Sequence, residues 1–385
     1  MKLFKFRNIN KRFLIPVFGG LLTLVYRIII PKIPKYDIVG KNPFISNIYV
    51  SLGLILAFIP YLILKYRSKK SSNSEALEES KLNLELLFNE QFIDNPSLKF
   101  KLILCTAILD FLICLLSSLF CYNCIYNLWI FDIIFMNLFS YLLLKTKLYR
   151  HQYFSMIIII ISGLMLNIIE YYKSDDKSNK LNFLEIFAKF LCEIFYSISM
   201  VISKYNMVKT CCTPYEISFW EGLLEFIFGV IVLIIINTLG VEISGFKHPD
   251  NFYELFDNYD IYDFIICFIM ILASFIFNIV LLITCDNFTP VHILITLIIR
   301  ECNNYLKFEE KNAILNILGF FILLIFAFMF LVFIEVIEIN ICNISYNTKN
   351  NIEIRALRES NDDINYYNSN QHEADLIELN PLESD

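Results

Sequence analysis

The sequence predicts an all-α polytopic membrane protein with about ten transmembrane helices, and three observations predict it. Ten hydrophobic runs of 17 to 25 residues follow one another along the 385 residues, and a run of about twenty is what a helix needs to cross a hydrocarbon core of roughly 30 Å. The composition is 57% hydrophobic with 37 Phe, and the mean hydropathy is +0.58, which excludes an ordinary soluble domain of this length. Several runs also carry an acidic or basic residue in mid-run, which points to a polar interior shielded from lipid.

The first run, Phe13–Ile30, follows a basic start with Lys2, Lys5, Arg7, Lys11 and Arg12. It is longer than a signal-peptide core, and Pro31-Lys32-Ile33-Pro34 stands where a small-residue cleavage site would be, so it reads as a retained membrane helix. The second run is Phe44–Leu64. A polar loop over 66–101 follows, with room for one short amphipathic helix around Leu82–Phe88. The third run is Leu102–Phe120, the fourth Ile125–Leu144 and the fifth Tyr153–Ile169. After a short polar link come the sixth, Phe183–Ser203, the seventh, Ile217–Ile236, and the eighth, Phe264–Thr284. Arg300, Glu301, Asn303 and Asn304 interrupt the second half of the ninth, Thr289–Tyr305; a re-entrant or interfacial path there reduces the count to nine. The tenth is Ala313–Ile337.

Four regions follow from this reading: a basic cytosolic start (1–12), helices one to five (13–169), helices six to ten (181–337) and an acidic, disordered cytosolic tail (338–385). Residues 349–385 hold three bases and nine acids, a net charge of −6 that equals that of the whole chain; such a segment lacks the apolar periodicity of a folded element. Neither the tail nor the polar loop is large enough to be a catalytic domain. With the N-terminus in the cytosol, the inner side carries twenty Lys and Arg and the outer side nine, which favours cytosolic termini. The formal glycosylation sequon Asn343-Ile-Ser345 is then expected to stay unmodified.

Winding the runs at about 100° per residue separates lipid faces from polar stripes. In the sixth run Asn182, Glu185, Lys189, Glu193, Tyr196, Ser199 and Ser203 fall within an arc of about 120°. Glu185, Lys189 and Glu193 stand four apart, so the lysine is within reach of an acid above and below. This stripe is either an ion-pair ladder locking the helix to a neighbour or the wall of a cavity for a polar solute; hydroxyls continuing it beyond the charges favour the wall. The ninth run aligns Thr289, His292, Thr296, Arg300 and Asn303. The third aligns Thr106, Asp110, Cys114 and Ser117. The seventh aligns Ser218, Glu221, Gly222, Glu225 and Gly229, joining acids to small residues that allow close helix packing, and the eighth adds Ser274 and Asn278. Five helices with a wet stripe predict a central polar cavity.

The expected solute-binding residues are Asp110, Lys189, Glu193, Tyr196, Glu221, Asn278, His292, Thr296 and Arg300. Arg300 and Lys189 would meet an anionic part of the solute, and the acids would balance charge or carry a coupling proton. His292 reads more readily as a partner for a neighbouring helix than as a direct solute contact. Asp132 stands alone in the fourth run and reads as a structurally partnered charge, and Arg27 lies near a helix end where it can snorkel. Eleven cysteines are scattered through the chain; Cys121-x-x-Cys124 has no second pair, so no metal is expected. No Gly-rich phosphate loop is present, and no cofactor or nucleic acid is expected. The four histidines form no catalytic pair in a suitable loop, which argues against a membrane-embedded transferase.

The basic turn from Lys145 to His151 joins runs four and five, and Lys307 to Lys311 joins runs nine and ten. Each pair closes a five-helix half, with Gly163 and Gly319 in the second helix, the pattern of an inverted-repeat transporter. The stretch Ser140 to Phe154 resembles the fourth-to-fifth helix junction of the drug/metabolite transporter superfamily. Leu109-Asp-Phe-Leu112 resembles its third helix, and Asn42-Pro-Phe44 with Leu52-Gly53 its second. Lys209, Pro214 and Trp220-Glu-Gly222 are similar to the sixth-to-seventh junction of the nucleotide-sugar-transporter-like branch, solute carrier family 35, in particular its F-type members. The resemblance spans about residues 13–336.

That resemblance implies two inverted five-helix halves, cytosolic termini and alternating access to a central site, with Asp110, Lys209, Glu221 and Gly222 matching. The chain departs from the family pattern at Leu54, where an acid is frequent, at Trp129, where a base is, and at His292 or Ile293, where an arginine is common. The family's substrate therefore does not carry over. The expected function is transport of a small polar, anionic-leaning organic solute of the nucleotide-sugar or metabolite class. The alternatives are a passive channel and a receptor or scaffold acting through its acidic tail. The expected partners are that solute, the lipid bilayer and a second copy in a homodimer. An endomembrane of Golgi or endolysosomal type is expected ahead of the plasma membrane.

Overall fold

The computed structural model describes residues 4–6, 11–29, 43–70, 96–120, 128–146, 148–173, 183–239, 261–305 and 313–339. Among them every one of the ten hydrophobic runs is helical. The helices are α1 (Leu14–Ile29), α2 (Pro43–Ile55), α3 (Phe58–Lys70), α4 (Pro96–Phe120), α5 (Asp132–Leu144), α6 (Arg150–Lys173), α7 (Phe183–Thr210), α8 (Pro214–Leu239), α9 (Ile261–Asn287), α10 (Leu294–Tyr305) and α11 (Ala313–Phe333). Seven spans among the described residues are long and apolar enough to cross a membrane: α2 with α3, α4, α6, α7, α8, α9 and α11. That number makes the chain a helical multi-pass membrane protein. Runs one and four give shorter apolar helices, and run nine gives the 12-residue α10.

Three expectations are corrected in detail. The second run is not one helix but α2 and α3, separated by a turn at Leu56 and Ala57. Pro60 follows at once; it lacks the N–H that would bond the Leu56 carbonyl, so the regular ladder breaks there. The fourth run begins with a 3-10 turn, Leu128–Phe131, and the ninth does the same with Pro290–Ile293. The tenth helix stops at Phe333, short of Ile337, and the chain turns into a strand, β2 (Ile337–Ile339), antiparallel to β1 (Phe4–Phe6) with Lys5 opposite Glu338. The expected disordered tail and basic start thus each contribute a few ordered residues. The rest of that tail, its sequon, the helix around Leu82–Phe88, the Cys121/Cys124 pair, the 307–311 turn and Asn182 lie outside the described residues.

Helix ends here are closed without glycine. Lys145, Cys211 and Glu335 adopt left-handed backbone at φ 54°, 51° and 62°, directly after α5, α7 and the turn ending α11. At the last, the N–H of Val336 bonds the Leu331 carbonyl at 2.9 Å and that of Glu335 bonds Val332 at 3.1 Å, which satisfies carbonyls left open by the helix end.

Residues 10–147 and 159–327 form one compact unit. Within it α4 packs along α7, α2 lies against α8 and α9, α1 against α10 and α9, α5 against α7, and α8 against α4. Glycines allow the closest crossings: a Cβ on Gly222 of α8 would strike Leu54 and the backbone of Ser51 and Ile55 in α2, and one on Gly53 of α2 would strike the Ile271 carbonyl of α9. In a bilayer, where lipid tails are as apolar as Leu, such close backbone approach is what drives helix association. Opposite faces are bare and apolar; on α6, Tyr153, Ile157, Ile161, Leu164 and Ile168 are exposed at three- and four-residue spacing, the signature of a lipid-facing stripe.

Residues 1–9, 148–158 and 328–385 form a second unit. In it the β1–β2 pair adjoins the end of α11, His151 Nε2 lies 3.3 Å from Glu335 Oε1, and Gln152 Nε2 donates to the Phe333 carbonyl at 3.3 Å.

Candidate functional site

The polar stripes of five helices meet in a cavity of about 230 Å³ inside the larger unit. Helix α2 brings Asn47, Ser51 and Leu54, which share a face because they stand four and three apart. Helix α4 brings Asp110, Phe111, Cys114 and Ser117. Tyr196 and Met200 come from α7, Glu221, Glu225 and Gly229 from α8, and Asn278 from α9.

Short contacts hold this wall in place. The Asn47 side-chain amide donates to Cys114 Sγ, joining α2 to α4. Ser51 Oγ donates to the Asn47 carbonyl at 3.0 Å and lies 3.5 Å from Glu225 Oε2. Ser203 Oγ stands 3.5 Å from Glu221 Oε1, and the Thr106 hydroxyl also reaches the Glu221 carboxylate. Asn278 Nδ2 donates to the Ser274 carbonyl at 3.0 Å. Three carboxylates therefore face one space within the membrane-spanning helices, where each charge left alone costs about 2.5 to 3.5 kcal/mol.

Of the nine expected residues, four line the cavity: Asp110, Tyr196, Glu221 and Asn278. Lys189 and Glu193 do not. Lys189 Nζ sits 2.8 Å from Glu193 Oε1, and Glu193 also faces Asp132 of α5. Asp132 is fully buried, and Ser197 Oγ donates to its Oδ1 at 3.2 Å. Lys189 and Glu193 thus pair along α7, and the Ser197–Asp132 hydrogen bond ties α7 to α5, so Asp132 is partnered structurally.

The ninth run lies off the cavity altogether. His292 Nδ1 is 2.9 Å from Thr289 Oγ1, with the ring stacked on Phe288 at 4.9 Å. Thr296 Oγ1 donates to the Pro16 carbonyl of α1 at 3.1 Å. Arg300 contacts Glu301 Oε1 through Nε and Nη2, both at 3.2 Å. Its charge reaches Tyr196 only at longer range, together with those of Asp110, Asp132 and Glu193.

Sequence reasoning placed no binding residue on the second run, yet Asn47 and Ser51 line the site. Their four-residue spacing was the available signal, masked by an otherwise apolar helix. Glu225 was visible on the α8 stripe next to Glu221. No protein-family model matches this chain, and no curated protein matches it either.

Proposed function

We propose that the protein is a carrier that moves a small polar organic solute across a membrane by alternating access, built from ten helices in two inverted five-helix halves and related to the drug/metabolite transporter superfamily. The observation behind this reading is the cavity: its polar wall draws on runs two and three from the first half and on runs six, seven and eight from the second. A site at the interface of two repeats is where a rocking carrier holds its solute.

The packing supports the repeat. Moving every run five places along converts α1 against α10 into α7 against α5, α1 against α9 into α7 against α4, and α2 against α9 into α8 against α4, while α2 against α8 maps onto itself. All of these contacts occur. Runs four and nine, equivalent under the same exchange, both open with a 3-10 turn before a short helix. Five crossings per half start the second half on the opposite side, so the halves are inverted. The charge asymmetry of the loops supports cytosolic termini.

The test is flux through the reconstituted full-length chain. Labelled organic solutes should show saturable uptake and counterflow, reduced at least tenfold in Asp110→Asn and Glu221→Gln. Flux identical to wild type in both variants would overturn the reading. Uptake that rises linearly with concentration and shows no counterflow would identify a passive channel with the same wall.

A further inference from the structure

The ionic lining of the cavity has one sign. Asp110, Glu221 and Glu225 face the space, and among the described residues no Lys, Arg or His lines it. The two cations expected there are engaged elsewhere, Lys189 by Glu193 at 2.8 Å and Arg300 by Glu301 at 3.2 Å. We infer that the cavity takes a small organic cation, an amine or quaternary ammonium, and not the anionic solute that the sequence suggested; this rests on the carrier reading above.

An anion entering this space would meet like charge in a setting of low dielectric, where repulsion is far stronger than in water. A cation supplies the counter-charge that the three carboxylates lack. Donor and acceptor chemistry agrees. Ser199, fully buried on α7, sets its hydroxyl against the Asp110 carboxyl group. The Asn278 amide already donates into its own helix. The carboxyl groups of Asp110, Glu221 and Glu225 bring acceptor oxygens to the cavity, suited to a ligand that donates.

Aromatic rings complete the match. Tyr196 and Phe111 line the wall, and ring faces attract quaternary or primary ammonium groups. Size narrows the class further. A cavity of about 230 Å³ is smaller than the roughly 300–1,000 Å³ typical of drug-sized sites, so a nucleotide sugar, bulky and doubly anionic, fits neither volume nor charge.

Thermal unfolding of the purified full-length chain tests this directly, with choline and putrescine as probes against succinate at matched ionic strength. Choline or putrescine should raise Tm, with apparent affinity falling at least tenfold in Glu221→Gln and Glu225→Gln, while succinate gives no shift. If Glu221→Gln does not fold, Glu225→Gln alone carries the comparison. Stabilisation by succinate equal to that by the cations, an unaltered cation effect in the folded Gln variants, or no shift with either cation would overturn the inference. Counterflow separates it from the carrier reading. Cation binding without any saturable flux would sink the carrier and leave the cation site, whereas saturable succinate exchange without choline exchange would do the reverse.

Discussion

Lys189 faces two buried carboxylates, Glu193 at 2.8 Å and, more remotely, Asp132. Removing it leaves Glu193, 6% exposed, without its counter-charge. Lys189→Met should therefore cost about 1–3 kcal/mol, less than the roughly 3–5 of a fully buried pair because the lysine is partly exposed. Adding Glu193→Gln to that variant should restore most of the loss, because it removes the stranded charge; a drop in Tm that the double variant does not recover would assign Lys189 another task. At the junction after α7, Cys211 is exposed and Cys212 buried. Burial pushes the Cys212 thiol up, helped by the Glu216 carboxylate, so less of the reactive thiolate exists at any pH. A polar maleimide should label Cys211 well before Cys212, measured by mass spectrometry of the labelled peptide, and the side from which it labels reports topology.

At the scale of elements, the crossing of α2 and α8 depends on Gly222, whose added Cβ would meet backbone as well as the Leu54 side chain. Backbone cannot step aside as a flexible side chain can. Gly222→Ala should destabilise by about 1–3 kcal/mol, read as a lower Tm, and should lower flux because Ser51 and Glu221 hang from the two helices it separates. The opposite sign is expected at the end of α5. Lys145 holds a left-handed φ of 54°, a conformation that costs a non-glycine residue about 1–2 kcal/mol. Part of that gain is returned as unfolded-state entropy, so Lys145→Gly should raise stability by about 0.5–1 kcal/mol, and a lower Tm would contradict this account of the cap.

For the whole molecule, the loop charges predict cytosolic termini. Asn343 should therefore carry no glycan when the chain is expressed in eukaryotic cells, and a glycosidase-sensitive mobility shift lost in Asn343→Gln would reverse the topology. The acids come from α4 and α8, runs three and seven, which the proposed exchange of halves would not interconvert, so the proposed repeat accounts for the scaffold and not for the acidic lining.

Hydropathy and helical period are local properties, and they were enough to identify a multi-pass membrane chain and to mark polar stripes on five of its runs. Asp110, Tyr196, Glu221 and Asn278 were legible because a polar side chain in an apolar run has few places to go. What local pattern could not supply was the partner opposite each stripe. Glu193 and Tyr196 lie one turn apart on the same helix, yet the first meets Asp132 and Lys189 while the second meets the cavity. Arg300 and Thr296 share a stripe as polar as that of α4, but it faces Glu301 and the Pro16 carbonyl. Glu193 with Asp132 and Thr296 with Pro16 join residues far apart in the chain, so the tertiary packing decided which polar faces meet another helix and which face open space, and hence that the charged lining among the described residues is acidic.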